Sequence, residues 1–356
     1  MQIEVIEKID SIHELRPQWN ALFEKANPGL FMHHSWVYLN YRHFQPDSLL
    51  LLTVYGERRK LIGVFPFAIR DFRIKFFHYR ALVHGGSEVT DYSHFMVDPD
   101  ANRRLMIKRV LEKLIELQPS KWDFFKIGNM SDGDDTSKLF RHMTLRMLYA
   151  GDTATDITPV IAFSHQYEEA KKISNVVRRF RKIEDGCEIR HLIGKEITDQ
   201  TMAEFSKIHR NAYPNSGFDT AAAQAYYKAL IKDSEFSEHV CLSCIMHEGR
   251  MIAGHFGFRE KGVIYYYVPG YDNSFSKYGP GQYLLWNMIN KAKADKALEF
   301  DLLRGSEDYK FNWTNKINTN YTVFGVTHND SYYKKALVNL WLFTKTLPFF
   351  RQSIQK

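Results

Sequence analysis

Apolar and polar residues alternate over residues 2–10, the period of a strand, and pass to helical spacing between residues 11 and 25. Ser11 with Glu14 three residues later is a helix-start signature, and Asn27-Pro28-Gly29 closes that helix. A short aromatic helix is expected over residues 35–44, ended by Pro46-Asp47. SLLLLTVYG and KLIGVFPFAIRDF read as two strands around a charged hairpin, and residues 76–83 as a third. Helical spacing returns over residues 102–117. A strand at 121–127, a short helix at 135–142 and strands up to about residue 161 complete a first unit.

The same order then recurs. Residues 167–185, YEEAKKISNVVRRFRKIED, predict a charged connecting helix stopped by Gly186, with the run Arg178, Arg179, Arg181 and Lys182 assigned to its solvated face. CEIRHLI predicts a strand, residues 197–213 and 221–232 two helices, and residues 239–247 and 250–259 two further strands. The next stretch holds IAGHFGF, VIYYYVPGYD, the turn KYGPGQ opening a helix, and EFDLLRGSEDYK. Its first part aligns with the first unit, LLLLTVYGERRKLIGVFPFAIRD against VCLSCIMHEGRMIAGHFGFRE, and WDFFKIG aligns with FDLLRG. Strands alternating with helices in both halves imply a tandem duplication of one α/β domain with a mixed central sheet flanked by helices. The expected division is residues 1–165, a connecting basic helix at 166–186, a second domain at 187–330 and a C-terminal amphipathic helix at 331–356.

Composition adjusts this picture only at the edges. The 356 residues are 44% hydrophobic and 25% charged, ordinary for globular chains, while 26 Phe and 20 Tyr favour well-filled sheets and a groove walled by rings. A net charge of +7 suits anionic ligands without pointing to DNA. Cys187, Cys241 and Cys244 form no disulfide framework, which fits a reducing, cytoplasmic setting. Cys241 and Cys244 sit three apart in a strand, on opposite faces, so no metal site is expected there. The acidic, strand-like start is not a secretory leader, and no apolar run approaches the length of a membrane span.

The chemistry concentrates at KYGPGQ. A helix entered through a glycine turn after a strand presents free N–H groups and its positive dipole end to an anion. The first half has Val97-Asp98-Pro99-Asp100 at the matching place, where two carboxylates would repel phosphate. The second half is therefore expected to be the active copy and the first a wall.

IAGHFGF, YYYVPGYD, KYGPGQYLL and FDLLRGSEDYK, in that order and spacing, resemble the CelD-like branch of the GNAT acyltransferases, relatives of the tandem-domain FemABX transferases. The resemblance covers nearly the whole chain, including NVVRRFRKIEDG. It departs from the family at Gly279, where Ser is usual, and at Ser306, where an acidic residue is frequent. It implies acyl transfer from acetyl-CoA or another acyl-CoA to an amine, with the donor between two splayed strands. By that likeness Val268 on the first strand and Lys277, Tyr278, Gly279, Gly281 and Gln282 at the turn would hold the cofactor. His255 and Asp301 are the expected base candidates with Glu307, and Tyr309 the acid that protonates the thiolate. Tyr267, Tyr271, Arg304 and Lys310 are the expected substrate contacts.

The acceptor stays open at this level. An amino sugar or amine of cell-envelope or exopolysaccharide synthesis is the first reading, a long-chain amine the second. Aminoacyl transfer from tRNA in the FemABX manner, and acyl-CoA binding without turnover, are the rivals. The C-terminal helix, with Lys334, Lys335, Lys345 and Arg351 around apolar residues, suits either packing on the chain's own sheet or peripheral contact with the inner membrane.

Overall fold

The computed structural model describes residues 1–74, 77–118, 120–163, 173–314 and 316–346. Expected features at residues 167–172 of the connecting helix and beyond residue 346 lie outside the described residues. The chain divides into two compact units, Met1–Asp156 with the chain from Asn318 onward, and Ile157–Ile317.

In chain order the first unit starts with β1 (Gln2–Ile6), α1 (Ile9–Glu14), α2 (Arg16–Ala26) and α3 (His34–Phe44). β2 (Ser48–Tyr55), β3 (Leu61–Ile74), β4 (Phe77–His84) and β5 (Met96–Val97) follow, then α4 (Arg103–Leu117), β6 (Phe124–Ser131) and α5 (Asp135–Met147). β7 (Tyr149–Ala162) begins in this unit and ends in the next. The second unit continues with α6 (Ile173–Phe180), β8 (Cys187–Ile193), α7 (Asp199–Ala212), α8 (Ala221–Lys232), β9 (Val240–His247) and β10 (Arg250–Glu260). β11 (Val263–Tyr271), α9 (Pro280–Ala294) and β12 (Glu299–Asp301) complete it, and β13 (Lys316–Val326) and α10 (Tyr332–Thr346) lead back into the first.

In the first unit the strand order is β1-β2-β3-β4-β6-β13, then the start of β7. β4 and β6 run parallel, through Ala81↔Phe124 and Leu82↔Phe125, while β1, β2, β3 and β4 pair antiparallel in turn, as do β6 and β13. In the second the order is β8-β9-β10-β11-β12 followed by the end of β7, and only β11 and β12 are parallel. Each unit thus has a mixed sheet with a parallel seam, as the repeated sequence pattern predicts.

Helix α9 shows how the pattern becomes packing. Leu284, Leu285, Met288, Ile289 and Ala292 fall on one stripe and bury against Ile245, Ile252 and Phe300. Each large apolar chain buried this way contributes roughly 1.5–3 kcal/mol. On α10, Val338 and Trp341 pack toward Phe124 and Phe324, while Leu340 and Phe343 are exposed. No helix among the described residues is long and apolar enough to cross a membrane.

Three expected elements shift. The single helix of residues 11–25 divides at Leu15, where Pro17 sits in the first turn of α2. The connecting helix stops at Phe180 and gives way to turns. The strand expected over FDLLRG, by its alignment with the strand WDFFKIG, ends at Asp301, for a reason that belongs to the site.

Candidate functional site

β11 pairs with β12 only from Val263 to Tyr265, yet β11 runs on to Tyr271. The two strands part because β12 is ended by its own side chain. Asp301 Oδ1 accepts the Leu303 N–H at 2.8 Å, and Leu303 turns away at φ +56°. Lys310 fixes the loop that follows. Its ammonium is buried, donates to the Leu303 carbonyl at 3.4 Å and to that of Arg304, and pairs with Glu307 at 3.0 Å. Asp301, Glu307 and Lys310 therefore build the loop that opens the fork.

A bulge shapes the other edge of β11. Phe256 faces Val268 and Phe258 faces Tyr265, which leaves Tyr266 and Tyr267 opposite Gly257 alone. The Tyr267 N–H donates to His255 Nε2 at 2.8 Å, and the imidazole lies where a Gly257 side chain would be. The ring stacks on Tyr266 at 4.2 Å and 3°. Burial drives the His255 pKa down to about 3, so the ring is neutral, with Nε2 as acceptor and the proton on Nδ1. An expected base thus proves to be the clamp on the bulge, its lone pair committed to the backbone.

The bulge also shifts the side-chain alternation. Tyr266 and Tyr271 line a cavity, while Tyr267 turns to the opposite face and shares a 2.8 Å hydroxyl contact with Tyr227 of α8. Beyond the bulge His209 of α7 donates through Nδ1 to the Pro269 carbonyl at 2.7 Å, setting the cavity's far wall.

After β11, Asp272 Oδ1 accepts from Ser274 N–H and hydroxyl, and its other oxygen pairs with Arg250, anchoring a 3₁₀ turn at Asn273–Tyr278. Gly279 then sits at φ +66°, the left-handed region that favours glycine, and Pro280 begins α9. No side chain caps this helix, so the N–H groups of Gly281 and Gln282 at its first turn face outward. Arg179 of α6 lies beside them, its Nη2 3.3 Å from where a Gly279 Cβ would be. α6 is held there by Phe180, stacked on Tyr283 at 3.8 Å, and by the Tyr283 hydroxyl donating to Glu184 at 2.9 Å.

These elements enclose a cavity of about 330 Å³ within the second unit. It is lined by the turn Gly279–Gln282, by Arg179 and by the four tyrosines Tyr213, Tyr266, Tyr271 and Tyr309, with Tyr271 next to Gly281. Burial, reinforced by the Glu307 and Tyr213 charges, raises the Tyr309 pKa well above the ordinary phenol, so its hydroxyl stays protonated. Tyr266 and Tyr213 are shifted the same way, each chiefly by burial.

Of the expected site residues, Gly279, Gly281, Gln282, Tyr271 and Tyr309 meet at the cavity. Lys277 and Tyr278 belong to the turn but not to the lining, with the Lys277 ammonium 4.9 Å from the centre of the Tyr278 ring. Val268 is opposite Phe256 in the ladder, and Arg304 lends its carbonyl to Lys310. Arg179, Tyr213 and Tyr266 join the site without having been expected. Arg179 had a signal in the sequence, since it lies three residues after Val176 and next to Phe180, the two buried positions of α6. Tyr266 had none, because strand alternation alone cannot register a bulge.

Residues 170–311 match the model of the acetyltransferase (GNAT) domain. Among solved structures the chain is similar to FemX, at 12% identity over 90% of this chain and 97% of that one, with a TM-score of 0.59. It is similar to L-PGS from Bacillus licheniformis at 12% identity, covering 92% and 96% with a TM-score of 0.55. A tandem GNAT protein from the clavulanic acid biosynthesis pathway matches at 10% identity, covering 92% and 100% with a TM-score of 0.53. No protein of curated function matches the sequence. At these identities the likeness to solved structures is one of fold. The fold is that of the GNAT superfamily, and residues 170–311 carry the match to its acetyltransferase domain.

Proposed function

We propose that the second unit transfers an acyl group from an acyl-coenzyme A to the nitrogen of a small polar amine. The carrying observation is the cavity lined by the uncapped start of α9 and by the four tyrosines. The Gly281 and Gln282 N–H groups would hold the donor's diphosphate, and its pantetheine arm would lie along β11 where β12 has departed, as an added strand. Bound there, the donor supplies an already activated thioester. The protein has to align a neutral amine with it and provide a proton for the departing thiolate.

Tyr309 suits that second task, because its raised pKa keeps the phenol protonated at the cavity wall. His255 does not serve as base in this reading, its Nε2 being occupied. No imidazole or carboxylate lines the cavity among the described residues, so the amine gives its proton to water and reacts from its neutral fraction. The small volume and four phenols favour a compact, polar acceptor over a long-chain amine. With the CelD-like motif set, this supports an amine or amino sugar of envelope polysaccharide synthesis.

Thermal shift with CoA and acetyl-CoA, followed by thiol release with a panel of amino sugars, tests the reading. A ligand at a hundred times its Kd stabilises by about 2.7 kcal/mol. The rate should rise with pH along the acceptor's own titration. Absence of any shift with CoA, acetyl-CoA or palmitoyl-CoA sinks the proposal, and turnover with aminoacyl-tRNA alone replaces it with the FemABX-like reaction.

A further inference from the structure

The connecting segment carries four basic residues within five positions, and only one of them is placed against the cavity. Arg178 donates to Asn175 at 3.2 Å on the exposed side of α6. Arg179 lies across the turn from it, lining the cavity with Gly279, Gly281 and Gln282. The placement is enforced by α6 itself. Val176 and Phe180 are buried against the second unit's core, Phe180 stacks on Tyr283 of α9, and Tyr283 is tied back to Glu184. An arginine three residues after one anchor and beside the other cannot drift far from the start of α9.

Among the described residues the Arg179 guanidinium has no ion-pair or hydrogen-bond partner, in contrast to Lys310 in the same unit, whose charge is spent on Glu307 and two carbonyls. The exposed guanidinium lies beside the turn, 3.3 Å from where a Gly279 Cβ would be, and Arg179, Gly279, Gly281 and Gln282 all line the cavity. A planar fork of donors beside backbone N–H groups is matched to phosphate oxygens, which accept from both at once.

We infer that Arg179 is the phosphate-reading residue of the donor site, so that α6 belongs to the cofactor site as a clamp on the donor's diphosphate. This rests on the acyl-CoA reading above and goes beyond it in assigning a residue and a chemical class. The donor is recognised as a diphosphate-bearing coenzyme, and a bare pantetheine thioester lacks the group that Arg179 reads.

The test titrates the full chain and its Arg179→Ala and Arg179→Lys variants with acetyl-CoA and with acetyl-pantetheine, by calorimetry at two salt concentrations. Removing the charge-assisted hydrogen bonds of the guanidinium in Arg179→Ala should weaken acetyl-CoA binding roughly 10- to 100-fold. Arg179→Lys should recover part of that affinity, acetyl-pantetheine should bind all three equally, and the salt dependence for acetyl-CoA should flatten in the alanine variant. Equal acetyl-CoA affinity in wild type and Arg179→Ala overturns the assignment and leaves the acyl-CoA reading standing. Equal weakening of both ligands also overturns it, since Arg179 would then act by shaping the turn. No binding of acetyl-CoA to the wild-type chain overturns the acyl-CoA reading itself, and this assignment with it.

Discussion

Each unit has a parallel seam that parts into a fork and a helix that starts beyond it, but the two forks are filled differently. In the first unit the chain between β4 and α4 folds back and hydrogen-bonds to β6. The Ser93 N–H donates to the Asn129 carbonyl at 2.8 Å, and Asn129 Nδ2 donates to the Thr90 carbonyl at 3.0 Å. Thr90, Asp91 and Ser93 are buried there. Helix α4 is capped by Asn102, which accepts from the Leu105 N–H at 3.0 Å. In the second unit a short turn joins β11 to α9, nothing caps that helix, and the cavity stays open.

Charge follows the same division. The expectation that Asp98 and Asp100 repel phosphate gives way to a more local role. Lys25 pairs with Asp98 at 2.5 Å and Asp100 at 2.6 Å, and Lys60 pairs with Asp98 at 3.2 Å. Burial alone would raise the Asp98 pKa, but the hydrogen bonds from Lys25, the Asp100 N–H and Lys60 bring it below the ordinary value. The carboxylates are spent within their own unit. At the first fork the chain's own groups take up hydrogen-bonding positions along β6 and at the start of α4.

The two forks differ most at Gly281. A side chain there fits, since its Cβ would meet the Tyr271 ring at an ordinary 3.8 Å. Gly281→Asp should therefore fold and yet weaken CoA about a hundredfold or more, by placing a negative charge beside the diphosphate; calorimetry reads the change. Next in size is Phe180→Ala, which removes the anchor of α6. It should cost about 3 kcal/mol in denaturant unfolding and weaken acetyl-CoA together with it.

Acid should then separate the two forks. Burial lowers the pKa of His84, at the end of β4, to about 4, and that of His255 to about 3. In the unfolded chain both titrate near 6.5. The unfolded state therefore binds more protons below that pH. The contribution is intact above pH 6.5 and declines as pH falls toward 4 for His84 and toward 3 for His255, by about 1.4 kcal/mol per pH unit for each. His84 Nε2 contacts the His94 carbonyl at 3.0 Å, a partner that a protonated ring keeps. His255 Nε2 accepts from Tyr267 and must surrender that bond on protonation. His84→Gln and His255→Gln should each flatten the acid slope of the melting temperature, with bulge-edge hydrogen exchange responding only in the second. The smallest effect belongs to Asn102→Ala, which should cost about 1 kcal/mol and leave CoA affinity unchanged.

Much of the fold was legible because its cues are local. Alternation and the glycine turn located β10, β11 and α9 almost to the residue, and the two-copy order of elements showed in the aligned strand pairs. The turn itself is legible for the same reason, since Gly279 sits at φ +66°, a backbone angle that favours glycine. The resemblance and strand alternation point to His255 and Asp301, but neither registers the bulge at Gly257 or the Asp301 turn that shortens β12. Those depend on partners far along the chain. The basic run Arg178, Arg179, Arg181 and Lys182 is exposed, as its charge pattern predicts, and what the pattern does not show is that Arg179 lies beside the Gly279 turn.

One feature of the sheets bears on how the chain is made. β6 is flanked by β13, through pairs such as Asn320↔Ser131 and Val323↔Ile127, so the first unit needs residues that leave the ribosome after the whole second unit. During synthesis the first unit has an open strand edge for the time it takes to translate about 160 residues, some 8 to 32 seconds at ordinary rates. The N-terminal unit, though first to emerge, is the last able to finish, and its unfinished edge is where nascent chains would be expected to recruit a chaperone or pair with one another.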